Sequence, residues 1–129
     1  MRKILVIDDE KSCLALLHWH LKRNGFEVIP ASNGDEALEL MTRQSVDLVI
    51  TDIIMPGKDG LETIQEIREH WPETKIIAIS GGGLWSAGLY VNLSLKLGAT
   101  SVLQKPFASD ELLKAVKAQF GEAPAEAAA

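Results

Sequence analysis

The chain has 129 residues, 47% of them hydrophobic, with a formal net charge of −5 and a pI near 5.1. That size fits one domain around one core, and that apolar content excludes disorder over most of the length. The acidic balance, without a basic patch, speaks against direct DNA binding or a membrane surface.

Cys13 is the only cysteine, so an internal disulfide is excluded. With no signal peptide, the expected setting is a reducing cytoplasm. No apolar run approaches the length needed to cross a bilayer.

The first strand is expected over residues 3–7, where ILVI runs into Asp8-Asp9-Glu10. Residues 12–23 predict a helix whose Cys13, Leu16, Leu17 and Leu21 face the sheet. Asn24-Gly25 supplies its left-handed cap. Residues 26–29 read as a second strand at an edge, which Pro30 suits. A turn at residues 32–35 leads into a second helix over 35–42, with Ala37, Leu38, Leu40 and Met41 on its apolar side.

The third strand lies in VDLVITDIIMP, residues 46–56. Leu48, Val49 and Ile50 suit a strand buried on both faces. The run stops at Thr51-Asp52, and Pro56-Gly57 forces a turn. Residues 61–69 predict a third helix with Leu61, Ile64 and Ile67 inward, ended by Trp71-Pro72. The fourth strand, 75–79, ends in Ser80 and is followed by Gly81-Gly82-Gly83. A helix over 84–97 and a fifth strand over 101–104 lead to Lys105-Pro106. Ser109 is expected to cap the last helix, with Leu112, Leu113, Val116 and Phe120 inward. Residues 1–120 form the expected domain, and 121–129 a disordered tail.

Five strands alternating with five helices predict an α/β, doubly wound parallel sheet with helices on both faces. The flavodoxin-like order 2-1-3-4-5 fits five units. In such a sheet all strand ends share one edge. Asp8, Asp9, Asp52, Ser80 and Lys105 therefore meet around one crevice.

Three acids at short range resist joint ionisation. A hard divalent cation resolves the conflict, and Mg²⁺ takes carboxylate, phosphate and water oxygens. Asp8, Asp9 and Asp52 are the candidate metal ligands, with the backbone carbonyl of Ile54; Mn²⁺ is the alternative ion. Aspartate is an established nucleophile toward phosphorus. Asp52 is the most central of the three. Lys105 and the metal would neutralise the transferring oxygens, and Ser80 would donate one hydrogen bond to them. No general base for water is evident, so the site reads as one that accepts and holds a phosphoryl group rather than one built for turnover.

On these residues the chain resembles the receiver domain of two-component response regulators. The stretches that carry the resemblance are ILVIDDE, Asn33-Gly34 with Glu36-Ala37-Leu38, DLVITDIIMPGKDG, Ile79-Ser80 and LGATSVLQKPF, spanning residue 2 to about 120. The resemblance implies Asp52 as phosphoacceptor, Asp9 as direct metal ligand with Asp8 nearby, and Lys105 as the phosphate-binding lysine before a cis proline bond. It implies Ser80 as a switch hydroxyl and a sensor histidine kinase or histidine phosphotransfer protein as donor. With no output domain expected after Phe120, signalling would run through contact with a downstream protein.

Three departures stand out. Val102 replaces the Tyr or Phe that such receivers carry three residues before the lysine. The segment between Ser80 and Lys105 is longer by roughly a helical turn and opens on three glycines. The helix after them is apolar beyond what one buried face needs, which predicts a partner surface, with homodimerisation through residues 84–97 as one form of it. Of Ile54 and Gly82, which flank the site in receivers, Ile54 offers no hydrogen bond to an attacking water while Gly82 leaves the site open; the expectation is slow hydrolysis, since an unoriented water is a poor nucleophile. The alternatives are a small metal-dependent phosphohydrolase and a receiver fold kept only for binding. The first needs an acid-base group two residues past its nucleophile, where Ile54 stands. The intact acids, Ser80 and Lys105 argue against the second.

Overall fold

The computed structural model describes residues 2–53, 55, 60–81 and 87–121. Among these residues ten elements alternate: β1 (Lys3–Ile7), α1 (Lys11–Arg23), β2 (Glu27–Ala31), α2 (Gly34–Arg43), β3 (Leu48–Asp52), α3 (Gly60–His70), β4 (Lys75–Ser80), α4 (Ala87–Leu97), β5 (Ser101–Gln104) and α5 (Ser109–Gln119). All strand pairs are parallel and the order is β2-β1-β3-β4-β5. The architecture is the flavodoxin-like doubly wound sheet that the sequence predicts.

Local chemistry explains the boundaries. Asn33 caps α2, its side chain accepting from the Glu36 N–H at 2.8 Å. Glu36 in turn accepts from the Ser32 N–H at 3.1 Å. Gly25, at φ +90, takes the left-handed turn after α1. β2 runs on through Pro30, which an edge strand tolerates because one side of its ladder is empty. Ser109 is the first residue of α5 rather than its cap. Ala108 holds the cap position, and Glu111 reaches back to accept its N–H at 3.3 Å.

The sheet separates two apolar clusters, and successive residues of one strand feed opposite sides. Leu5 and Ile7 of β1 join Val49, Ile76, Ile64, Ile67 and Met41 on one face. Ile4 and Val6 join Leu48, Ile50, Ile77, Leu17, Leu21, Leu112 and Val116 on the other. Each fully buried aliphatic side chain contributes about 1.5–3 kcal/mol. Leu16 departs from expectation: it is 57% exposed, and α1 packs through Leu17 and Leu21, with Cys13 and Leu14 at the margin. A helix of 3.6 residues per turn cannot turn both Leu16 and Leu17 fully inward beside Leu21.

This topology positions the site. Ile7 pairs with Thr51, so the next residues, Asp8 and Asp52, emerge side by side at the carboxyl edge. β5 lies two strands away from β3, so only a long side chain from its end reaches Asp52. No helix among the described residues is long and apolar enough to cross a membrane. The expected tail beyond Gly121, the turn at Pro56-Gly57 with residues 58–59, Ile54, and residues 82–86 lie outside the described residues.

Candidate functional site

Asp8, Asp9 and Asp52 each bring a carboxylate oxygen within 4.8 Å of the others. Asp9 is exposed, whereas Asp8 and Asp52 are buried. The Asp8 Oδ1 accepts from the Glu10 N–H at 2.9 Å. Its Oδ2 is buried and has no hydrogen-bond partner among the described residues. The Lys105 Nζ stands 3.5 Å from Asp52 Oδ2 and 3.8 Å from Asp8 Oδ2. One ammonium thus serves two buried carboxylates, with that of Asp9 grouped beside them. A buried carboxylate oxygen left without a donor is costly. A hard cation among these oxygens would satisfy it, so the donor set fits Mg²⁺.

Lys105 is held by its backbone, whose N–H donates to the Ser80 carbonyl at 2.9 Å, and its bond to Pro106 is cis. Burial pulls its pKa down, but Asp52, Cys13 and Asp8 more than offset this and hold it above the ordinary lysine value. The ammonium is charged throughout the physiological range.

Ser80 ends β4 and is buried, its hydroxyl donating to its neighbour's carbonyl, Gly81 O, at 3.5 Å. It pairs with Gln104 on one side, while Ile79 pairs with Asp52 on the other. The structure therefore sets Ser80 at the same edge, while among the described residues it groups Asp8, Asp9 and Asp52 and pairs Lys105 with Asp8 and Asp52. Val102 is half-buried and lines an open groove of about 550 Å³ with Val91, Pro106 and Lys105. His18, His20 and His70 are remote from the strand ends in sequence; His20 and His70 make edge contacts with Trp19 and Trp71.

Cys13 belongs to the site's wall, which its assignment to the core did not foresee. Burial, then hydrogen bonding and charge from Asp8, push its thiol up to about 12. Its place in the first turn of α1 brings it there, because helix side chains tilt back toward the N-terminus. Asp52 is also fixed from below. Thr51 Oγ1 donates to the Asp52 carbonyl at 3.0 Å, the Ile53 N–H donates to Ile79 O at 3.0 Å, and the Gly60 N–H donates to Ile53 O at 2.7 Å.

A carboxylate cluster at one edge of a five-stranded parallel sheet, closed by a lysine from the last strand, defines a phosphoryl-accepting signalling fold. Residues 4–117 match the response regulator receiver domain, and the chain belongs to that family. A receiver domain protein from Clostridium thermocellum is 34% identical, with 94% of this chain and 95% of that chain covered and a TM-score of 0.86. Response regulator TrrA from Thermotoga maritima, solved in complex with Mg²⁺-BeF, is 39% identical, with 92% and 99% covered and a TM-score of 0.82. NtrX from Brucella abortus is 31% identical at a TM-score of 0.86, covering 94% of this chain, which spans 27% of that one. The chain is thus a receiver of two-component signalling, with an aspartate cluster arranged for a divalent cation and a phosphoaspartate. The fold fits self-phosphorylation and self-dephosphorylation rather than turnover of an independent substrate.

Proposed function

We propose that Asp52 takes a phosphoryl group from a phosphohistidine of a sensor kinase or a phosphotransfer protein. The carrying observation is the Asp52 carboxylate itself, buried, grouped with Asp8 and Asp9, and 3.5 Å from the Lys105 ammonium. An Asp52 oxygen attacks phosphorus, the P–N bond breaks, and the imidazole leaves with the electron pair and takes up a proton. Asp52 needs no separate base, since an aspartate carboxylate is itself the nucleophile toward phosphorus. Lys105 neutralises charge on the transferring oxygens, and the Ser80 hydroxyl rotates from its weak Gly81 bond to donate to one of them. Asp8, Asp9 and Asp52, with the Ile54 carbonyl, would hold Mg²⁺, which when bound offsets the remaining negative charge. TrrA, a relative 39% identical, was solved with Mg²⁺-BeF, which supports this reading.

The output leaves through the segment from Gly81 to Leu97, toward a downstream protein or a second copy of the chain. Leu89 and Leu95, at 59% and 45% exposure, support that surface. Intact-mass measurement after acetyl phosphate and Mg²⁺ tests the chemistry. One added phosphoryl is expected in the parent and none in Asp52→Ala or in metal-free protein. Equal labelling of parent and Asp52→Ala would remove the assignment.

A further inference from the structure

Gly60 opens α3 directly beneath the residue that carries the central carboxylate. A Cβ there would lie 2.1 Å from Asp52 O, 2.6 Å from Ile53 Cα and 2.8 Å from Ile53 O. All three are backbone atoms, so no side-chain rotation can relieve the contact. Gly60 does not adopt the left-handed backbone that favours glycine. The demand is for space alone. The same carbonyl is tied on its other side by the Thr51 hydroxyl at 3.0 Å. The Ile53 N–H is fixed to β4, and the Gly60 N–H closes on Ile53 O at 2.7 Å.

We propose that Gly60 is a positioning residue for the acceptor: by bringing the start of α3 into backbone contact with Asp52 and Ile53, it sets where the Asp52 carboxylate stands relative to Asp8, Asp9 and Lys105. This rests on the reading of Asp52 as phosphoacceptor. With a methyl at position 60 the Asp52 peptide must yield, because a helix start cannot compress against a main-chain oxygen. The β3–β4 ladder holds the strand on its other side, so the displacement is taken up at the strand end, where the carboxylates meet.

The test compares Gly60→Ala, Thr51→Val and Ile64→Val with the parent. Ile64 is buried on the same helix, and its shortening weakens packing without adding an atom near Asp52. Mg²⁺ affinity is measured by titration calorimetry, and labelling by acetyl phosphate is resolved into kcat and KM. Gly60→Ala should weaken Mg²⁺ binding by about tenfold or more, as loss of support behind a metal ligand does. It should lower kcat by up to about 100-fold through misplacement of the nucleophile, with KM little changed. Thr51→Val, which frees the same carbonyl without adding bulk, should shift both in the same direction to a smaller extent. Ile64→Val should lower thermal stability and leave both unchanged. A Gly60→Ala protein that loses stability but keeps the parent's Mg²⁺ affinity and kcat would overturn the proposal. If Gly60→Ala does not fold, Thr51→Val decides, and a Mg²⁺ affinity equal to the parent's overturns it. Failure of the Asp52 assignment would show separately, as labelling of Asp52→Ala, while the Mg²⁺ arm still reports on Gly60.

Discussion

The meeting of Asp8, Asp9, Asp52 and Lys105 at one edge was legible because each follows a short apolar run, and a parallel sheet gathers such positions together. Cys13 was not legible as a neighbour of that site, since a cysteine on an apolar helix stripe reads as core. Nor was the closeness of Gly60 to Asp52, because periodicity carries no information on how closely a helix start approaches a strand. The thiol yields a prediction with a defined sign. Its pKa is about 12 in the folded chain against an ordinary 9.0. Between those values the unfolded chain gives up the proton and the folded chain keeps it. Stability is therefore full below about pH 9 and is lost as pH rises toward 12. The raised Lys105 value acts in the same direction: its contribution is full below the ordinary lysine pKa and lost as pH passes its folded pKa. In metal-free protein, the urea midpoint of the parent should fall more steeply above pH 9 than that of Cys13→Ser. Parallel slopes would show that the thiol carries none of this dependence. Iodoacetamide should modify native Cys13 much more slowly than the urea-unfolded chain.

Among the elements, α4 is where pattern and structure disagree most. Leu89, Val91, Leu93, Leu95 and Leu97 alternate with Tyr90, Asn92, Ser94 and Lys96, a period that suits a strand. The chain makes a helix because β4 and β5 are parallel neighbours and need a crossover. The conflict leaves its mark: Ser94 is fully buried, its hydroxyl donating to Val91 O, while Leu89 and Leu95 face solvent. The expected apolar surplus is therefore present at Leu89 and Leu95; Trp85 and the Tyr90 side chain lie outside the described residues. The far end of α4 is clasped by Arg68, whose guanidinium donates to Gly98 O at 2.7 Å and to Pro72 O at 2.6 Å. Arg68→Ala should destabilise the fold by about 1–3 kcal/mol, read from urea unfolding, because two charge-assisted bonds are lost. Leu89→Lys should stay within about 0.5 kcal/mol of the parent in the same assay. Hydrogen exchange with and without beryllofluoride addresses output. Protection that changes across residues 81–97 supports the proposed route, whereas change confined to β5 and α5 would redirect it.

For the molecule as a whole, strand order and alternation of elements were legible because five apolar runs separated by helical periods admit few arrangements. Helix starts and side-chain directions were less so, as Leu16 and Ser109 show: one turned outward by helical pitch, the other displaced from its cap position by Ala108. The two clusters share every central strand, so damage on either side should weaken the entire domain. Ile50→Ala and Ile76→Ala lie on opposite faces, and each should cost about 2–5 kcal/mol. The midpoints should coincide for circular dichroism and tryptophan fluorescence. Separate transitions would mean that the faces melt independently.

The ion pair that completes the site joins residues 53 positions apart, from the third strand and just past the fifth. During synthesis the Asp52 carboxylate therefore emerges well before the Lys105 ammonium. Until β5 docks against β4, Asp52 has no Lys105 beside it. On the proposed reading of Asp52 as acceptor, a growing chain lacks the completed site until the last strand arrives. The arrangement times the protein's first response to the completion of its own fold.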